Sequence, residues 1–176
     1  LDDLLKMVFK QKIDKTYEVL IYDTSSTDKT PKIIKKYAKK HPNLRYKTIT
    51  KEEYGHGKTR AAAAYDAKGD IVVYLSQDAT PAHKYWLYEM TKPFELSDRI
   101  IGVMGKQDPR PTTFPLLKRE IMGVFNGFGP DFGTTLFYKD SFIKKQETYD
   151  KVAFYSDVNS AARRSYLTGE LPYQDV

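Results

Sequence analysis

Short apolar runs alternate with amphipathic segments along the first part of the chain. The runs have the length of strands, and four strands are predicted, at residues 18–23, 45–50, 71–75 and 99–105. The segments between them carry apolar residues at helical spacing, and four helices are predicted, at residues 1–9, 31–40, 59–67 and 86–94. This alternation indicates an α/β fold, with a mostly parallel sheet and helices on both faces.

The pattern changes in the rest of the chain. A polar, proline-containing stretch precedes a predicted helix at 116–125. Two short apolar runs, 134–138 and 152–155, predict strands added at the edge of the sheet, and a last short helix is predicted at 160–167. Because there is no internal repeat and no low-complexity linker, residues 1–176 are interpreted as one domain.

The composition is that of a globular protein: 176 residues, of which 40% are hydrophobic and 30% charged. The absence of cysteine excludes disulfide scaffolds, thiol catalysis and cysteine-ligated metal centres. No apolar run approaches the roughly 20 residues that cross a bilayer, and no signal peptide opens the chain. We therefore expect a cytoplasmic domain, which is still able to dock on the inner face of a membrane.

The net charge of +6 is concentrated near the start of the chain. Residues 1–60 hold 15 of the 29 lysines and arginines but only 8 of the 23 acidic residues. Such asymmetry suits an anionic partner: a phosphorylated ligand, an acidic lipid surface or a nucleic acid. The alternative is a solvated helix face, because the lysines of 31–40 alternate with apolar residues at helical spacing.

Three polar segments follow predicted strands: residues 23–28, 52–60 and 76–81. Ligands of open α/β sheets bind beyond the carboxyl ends of the strands, so these segments are expected to share one rim. At this rim Asp23 is an acceptor suited to a nucleobase N–H or a ribose hydroxyl. For Asp28, contact with a ligand and capping of the next helix are both open.

The segment 55–60 places glycines and cations directly before a predicted helix. Glycines let the backbone approach a ligand closely, and a helix N-terminus attracts anions. The segment matches neither the P-loop nor the dinucleotide fingerprint, and solvated side chains would equally explain His56 and Lys58. The same helix is predicted to end with Gly69 as a glycine C-cap.

The sharpest chemical signal is Asp78, which follows the apolar strand 71–75 within Ser76-Gln77-Asp78. One carboxylate cannot build an all-protein cation site, but it can anchor Mg²⁺ or Mn²⁺ when the phosphates of a substrate supply the other oxygens. The alternative is a carboxylate that only caps a turn.

Taken together, these motifs resemble glycosyltransferase family 2, the inverting and nucleotide-sugar-dependent kind, and especially its rhamnosyltransferase-like branch. The matching residues are an apolar run with Asp23 and Ser-Thr-Asp in 18–30, an aromatic residue with His-Gly and Arg in 54–60, and Gln-Asp-Ala with Pro and Trp-Leu in 75–87. Residues 154–164 resemble the later segment of that family at which the acceptor side begins.

The resemblance implies a GT-A fold and a donor site on the rim. Asp23 and Arg60 would hold the base and ribose, and Asp78 would hold the metal ion that bridges the diphosphate. The implied donor-binding residues are Asp23, Ser25, Asp28, His56, Gly57, Arg60, Gln77 and Asp78.

Two features depart from the family pattern. The first carboxylate of Asp-x-Asp is replaced by Ser76, which lowers the expected metal affinity without donor. The resemblance also places the first strand before Leu1 and the catalytic base, in a Glu-Asp pair, near or beyond Val176. Asp175 is a candidate, but we expect it to precede the base.

The implied reaction is inverting transfer of rhamnose or a similar hexose from a nucleoside-diphosphate sugar to a polysaccharide or lipid-linked saccharide. A nucleotide-binding α/β domain without transferase activity is the alternative. A nucleic-acid binder is disfavoured, because the aromatic residues are scattered rather than arranged as stacking platforms.

Overall fold

The computed structural model describes residues 1–129, 134–137 and 155–169. The elements, in chain order, are α1 (Asp2–Val8), β1 (Val19–Asp23), α2 (Thr30–Ala38), β2 (Leu44–Thr48), α3 (His56–Asp66), β3 (Ile71–Leu75), α4 (Trp86–Thr91), a 3₁₀ helix (Lys92–Glu95), β4 (Gly102–Met104), α5 (Pro115–Asn126), β5 (Asn159–Arg163) and α6 (Arg164–Leu167). This alternation confirms the α/β class.

Among the described helices, none combines the length and apolar character needed to cross a membrane.

The described strands form two sheets. β1 and β2 pair in parallel, with Val19 opposite Leu44 and Asp23 opposite Thr48. The second sheet has the order β3-β5-β4, and β5 is antiparallel to both of its neighbours. β3 and β4 therefore run in the same direction, as expected for consecutive strands of an α/β fold.

Helices cover both faces of the β3-β5-β4 sheet, because alternate residues of a strand point to opposite sides. On one face, Val72 and Tyr74 pack with Ala162 against α3 and α6. On the other, Ile71 and Val73 pack with the fully buried Ala161 against α4 and the 3₁₀ helix. The predicted two-sided covering of 71–75 is thus confirmed.

The β1-β2 sheet is covered by α1 and α2. The buried residues of this cluster are Leu4, Leu5, Val8, Ile34 and Leu44. Leu75, at the end of β3, also packs against this cluster. The end of β3 therefore contributes to the core that also covers the β1-β2 sheet, although the two strands belong to different sheets.

The position of the antiparallel strand differs from the prediction. The helix predicted over 160–167 is wrong for its first half, because Asn159–Arg163 forms β5 in the middle of the sheet. Residues 134–137 form no strand and are exposed, so no sheet supports them. The predicted strand residues 138 and 152–154 lie outside the described part of the chain.

Three further boundaries were predicted incorrectly. α3 begins at His56 rather than at 59, and its C-cap is Ala67 in an extended conformation instead of a left-handed Gly69. The segment predicted as one helix over 86–94 passes into the 3₁₀ helix after Thr91, because Pro93 cannot donate a helical hydrogen bond. The strand predicted at 99–105 is shorter, at Gly102–Met104.

A buried asparagine connects β5 with α4 and with the end of β4. The Asn159 side chain accepts a hydrogen bond from Trp86 Nε1 at 2.9 Å and donates to the Lys106 carbonyl at 3.3 Å. Its main-chain oxygen accepts a hydrogen bond from Gly105 at 2.9 Å. Gly105 thus passes so close to Asn159 and Met90 that no side chain fits there.

Substitution of Gly105 by alanine is expected to lower the free energy of unfolding by about 1–3 kcal/mol. The added Cβ would lie 2.7 Å from Met90 Sδ and in collision with the hydrogen-bonded amide of Asn159. Gly123→Ala is the matched control: in exposed α5 its Cβ meets nothing within 4 Å, so it should stabilise by about 0.5–1 kcal/mol. Urea unfolding measures the free energy of unfolding of both variants. Equal changes in the two would contradict the conclusion that Met90 and Asn159 leave no room for a side chain at Gly105.

Glu18 joins β1, β2 and the turn after α3. Its carboxylate accepts hydrogen bonds from Arg45 Nε at 2.9 Å and from the Lys68 amide at 2.6 Å. Burial alone would raise the pKa of Glu18, but these two hydrogen bonds outweigh burial and lower the pKa below its ordinary 4.5.

Because the folded-state pKa of Glu18 is lowered, its contribution to stability is present above about pH 4.5 and is lost as the pH falls through the lowered value. Glu18→Gln should therefore cost about 1 kcal/mol at neutral pH and much less in acid. Denaturant unfolding of both proteins across this pH range measures the difference. A difference that stays constant with pH would show that the charge of Glu18 is not involved.

Candidate functional site

Asp23 ends β1 and is buried, with 6% of its surface exposed. Its main-chain oxygen accepts a hydrogen bond from the Ile49 amide at 2.9 Å, which continues the pairing with the chain after β2. Within the described residues, the Asp23 carboxylate has no hydrogen-bond or ion-pair partner. The carboxylate oxygens still reach solvent, so this group is a candidate for contact with a ligand.

The loop after β1 is held in an unusual conformation. Ser25 has a φ of 48°, in the left-handed region that serine rarely adopts, and its Oγ donates to the Ile49 carbonyl at 2.8 Å. The Asp28 carboxylate accepts a hydrogen bond from the Thr30 amide at 2.8 Å, which lowers the pKa of Asp28. Asp28 thus bonds the first residue of α2 from the position before the N-cap, Lys29, which itself makes no side-chain capping bond.

The loop after β3 is fixed by its main chain. The Ser76 amide donates to the Val158 carbonyl at 3.1 Å, and the Ala79 amide closes a turn onto the Ser76 carbonyl at 3.0 Å. Arg110 Nη2 donates to the main-chain oxygen of Asp78 at 2.9 Å and to Thr80 Oγ1 at 3.1 Å. These contacts hold the backbone and leave the side chain of Asp78 exposed, together with that of Gln77.

Because α3 begins at His56, the residues predicted to precede the helix lie in its first turn. Gly55 is the N-cap, and its amide donates to Thr59 Oγ1 at 3.3 Å. Gly57 is buried, whereas His56 is exposed and lies against the Tyr54 hydroxyl, 3.2 Å from Nδ1. The first turn of α3 therefore carries the positive end of the helix dipole.

Arg60 is held from three sides. Its Nη1 donates to the His56 carbonyl at 2.9 Å, and its Nε lies 3.5 Å from Asp157 Oδ2. Its main-chain oxygen accepts a hydrogen bond from the Tyr74 hydroxyl at 2.8 Å, and burial raises the pKa of Tyr74. Within the described residues Arg60 Nη2 has no partner, so the guanidinium retains donors for an anionic group or a carbonyl.

Asp157 and Val158 connect two parts of the rim. Asp157 contacts Arg60 of α3, and the next residue, Val158, receives the Ser76 amide at the end of β3. Sequence reasoning missed Asp157 and Arg110 because both act across long separations in the chain. The only available signal was the family-like segment 154–164, which was interpreted as the acceptor side.

A divalent cation fits Asp78 only with help from a ligand. Among the described residues, no cluster of three or more histidine or acidic side chains could hold a metal ion. Asp78 offers an exposed carboxylate without a partner in the described part of the chain. A single carboxylate completed by phosphate oxygens is a common way to hold Mg²⁺, so the donor set fits that use.

The family model of glycosyl transferase family 2 matches residues 1–169. The chain belongs to this family. The match spans the described elements from α1 to α6, including both carboxylates of the rim. The resemblance drawn from the motifs around Asp23, Arg60 and Asp78 is thereby confirmed.

Two relatives of this family 2 domain are similar in sequence. The O-antigen chain rhamnosyltransferase WbaN of Salmonella anatum is 33% identical over 109 residues, which is 61% of this chain and 33% of WbaN. The poly(ribitol-phosphate) β-N-acetylglucosaminyltransferase TarS of Staphylococcus aureus is 36% identical over 77 residues, which is 43% of this chain and 13% of TarS. The matched part thus spans about a third of WbaN and less of TarS.

Two solved structures share the fold. The S. aureus TarS structure in complex with UDP has a TM-score of 0.67 at 22% identity, over 97% of this chain and 45% of that one. The mannosyltransferase PcManGT of Pyrobaculum calidifontis, in complex with GDP-Man and Mn²⁺, has a TM-score of 0.62 at 20% identity, over 98% and 42%. Both are GT-A glycosyltransferases, and the fold of this chain is of the GT-A type.

The structure places the predicted site residues in three groups. Asp23, Ser25 and Asp28 follow β1, Gln77 and Asp78 follow β3, and His56, Gly57 and Arg60 lie in the first turns of α3. The pair Asp157–Val158 joins the group in α3 to the group after β3, and Leu75 of β3 packs against the core that covers β1. Their binding roles remain predictions. Asp175, the candidate base, lies outside the described residues.

The two aspartates of the loop after β1 should respond to substitution in different ways. Asp23→Asn keeps the shape of a side chain whose oxygens still reach solvent, so it should change the free energy of unfolding by less than about 0.5 kcal/mol. Asp28→Asn weakens the hydrogen bond from Thr30 and should lower the melting temperature. Thermal and urea unfolding without ligand measure both. A destabilised Asp23→Asn variant would mean that the carboxylate has a stabilising partner.

Proposed function

We propose that this chain is the donor-binding part of an inverting glycosyltransferase. The donor is a nucleoside-diphosphate sugar, with rhamnose or a similar hexose as the sugar, and the acceptor is a polysaccharide or a lipid-linked saccharide. The observation that carries the proposal is the pair of carboxylates, Asp23 and Asp78, which follow the strands β1 and β3 of a family 2 domain and have no partner among the described residues. The names of WbaN, TarS and PcManGT support the substrate class.

The nucleoside would contact Asp23 and Arg60. A buried carboxylate is an acceptor for a base N–H or for ribose hydroxyls, and the free Nη2 of Arg60 is a donor for a carbonyl or phosphate oxygen. Both groups are fixed before the donor arrives, Asp23 by strand pairing and Arg60 by His56 and Asp157. Such preorganisation reduces the entropy lost on binding.

The diphosphate would lie between the first turn of α3 and Asp78. Asp78 would hold Mg²⁺ or Mn²⁺ together with the phosphate oxygens, as the complex of PcManGT with GDP-Man and Mn²⁺ suggests. The bound cation would act as a Lewis acid that neutralises the charge of the departing diphosphate. Arg60 and the amides of α3 add positive potential on the protein side.

In the transfer step the acceptor oxygen forms a bond to the anomeric carbon while the bond from that carbon to the diphosphate breaks. A carboxylate takes the acceptor proton, and the configuration of the anomeric carbon is inverted. We assign this base to Asp175 or to a residue after it, as the motif order of the family implies. The residues of the rim bind and orient the donor, which places its anomeric carbon toward the acceptor.

A second candidate is a nucleotide-binding domain without transfer activity. It is favoured by Ser76, which stands where the Asp-x-Asp motif has its first carboxylate. Both candidates predict donor binding, but only the transferase releases nucleoside diphosphate when a saccharide acceptor is added. We place the reaction in the cytoplasm, at the inner face of the membrane when the acceptor is lipid-linked.

Calorimetric titration with UDP-, GDP- and dTDP-sugars, with and without Mn²⁺, tests the donor site. Asp78→Asn should weaken binding in Mn²⁺ at least about tenfold and should have little effect without metal. Asp108→Asn is the matched control, because Asp108 is an exposed carboxylate in the chain after β4. Equal Mn²⁺-dependent affinity of the wild-type protein and Asp78→Asn would remove Asp78 from the site.

A further inference from the structure

A continuous face of lysines covers the outer side of α2. With Lys6 of α1, we call the lysine face the six exposed lysines that lie in α2 or directly beside its ends: Lys29, Lys32, Lys35, Lys36, Lys39 and Lys40. At about 100° per residue they occupy one side of the helix, opposite the buried Ile34. No acidic residue occurs in residues 29–44, so nothing on the helix itself neutralises this side.

The lysine face includes a recess between α1 and the end of α2. The recess has a volume of about 360 Å³ and is lined by Lys6, Lys36, Lys40 and His41, with the Tyr37 ring and Asp2 as the remaining walls. Asp2 accepts a hydrogen bond from Lys36 at 3.1 Å. Three ammonium groups therefore surround one carboxylate, and the recess keeps a positive excess.

The wall of this recess is built of stacked rings. The rings of Phe9 and His41 lie 3.7 Å apart and nearly parallel, and Tyr37 stacks against both. The Tyr37 hydroxyl donates to the main-chain oxygen of Asp2 at 3.3 Å, which joins α2 to α1. The stacked rings and this hydrogen bond thus fix α1 and α2 relative to each other, and with them the lysines that line the recess.

The side-chain chemistry distinguishes between anionic partners. No arginine occurs before Arg45, so the lysine face offers flexible point charges and no bidentate guanidinium groups. Phe9, Tyr37 and His41 stack on each other and are half-buried, so they form no platform for bases. Flexible lysines on a convex helix match the diffuse charge of anionic lipid headgroups, which attract basic segments at short range.

We propose that the lysine face docks this domain on an anionic bilayer, with a lipid phosphate in the recess beside Lys36 and Lys40. The recess adjoins the end of α2, close to the start of β2, whereas the candidate donor residues follow the ends of β1 and β3. Docking at the recess therefore leaves the rim open to nucleotide and acceptor. The proposal does not depend on the proposed function, because it rests on α1 and α2 alone.

Co-sedimentation with vesicles tests this surface. The full chain is mixed with phosphatidylcholine vesicles, with or without phosphatidylglycerol, at low and high salt. We expect binding only to the vesicles that contain phosphatidylglycerol, and loss of that binding at high salt. The variant Lys32→Gln/Lys36→Gln/Lys40→Gln should bind these vesicles more weakly by a factor on the order of a hundred.

The matched control is Lys51→Gln/Lys68→Gln/Lys84→Gln, which removes the same charge from exposed positions outside the lysine face. It should bind as the wild-type protein does, and circular dichroism should show the same helix content for all three proteins. The proposal is overturned by any of three results. The first is that the protein does not bind phosphatidylglycerol vesicles, and the second is that both triple variants lose vesicle binding equally. The third is that the protein binds an oligonucleotide or inorganic polyphosphate more tightly than the vesicles.

Discussion

Strand β5 has to satisfy hydrogen bonds on both of its edges, because it lies between β3 and β4. Its residues Ser160 and Ala161 are fully buried, and their small side chains let helices pack closely on both faces of the sheet. The two residues before it reach the rim, where Asp157 contacts Arg60 and Val158 accepts from Ser76. The packing of the core and the geometry of the candidate site thus depend on the placement of one strand.

This dependence explains which parts of the fold the sequence predicts. β3 was predicted with its observed bounds because the run 71–75 is apolar and is delimited by turn residues on both sides. β5 was missed because Asn-Ser-Ala-Ala-Arg has little intrinsic strand preference, and its burial comes from strand partners 56 to 92 residues away in the chain. The start of α3 was misplaced for a similar reason. Gly55 and Gly57 suggest a loop locally, whereas in the fold Gly55 is the N-cap of α3 and Gly57 is a buried residue of its first turn.

The same distinction applies to the site. Asp23 and Asp78 were predicted because each follows a strand directly, so local sequence determines their place at the rim. Arg110 and Asp157 were not predicted, because what they do is determined by tertiary contacts with Asp78 and Arg60. Sequence motifs therefore identify the groups that we propose to contact a ligand, whereas the groups that hold them in place required the fold.

The two carboxylates of the rim have opposite environments, and this asymmetry bears on the order of events under the proposed function. Asp23 is buried and its position is fixed by strand pairing, so it can select a ligand by hydrogen bonding with little reorganisation. Asp78 is exposed, and among the described residues it belongs to no cluster of three or more side chains that could hold a metal ion. A cation at Asp78 needs phosphate oxygens to complete its coordination, so donor and metal should bind together, with recognition of the nucleoside occurring at the preformed end of the site.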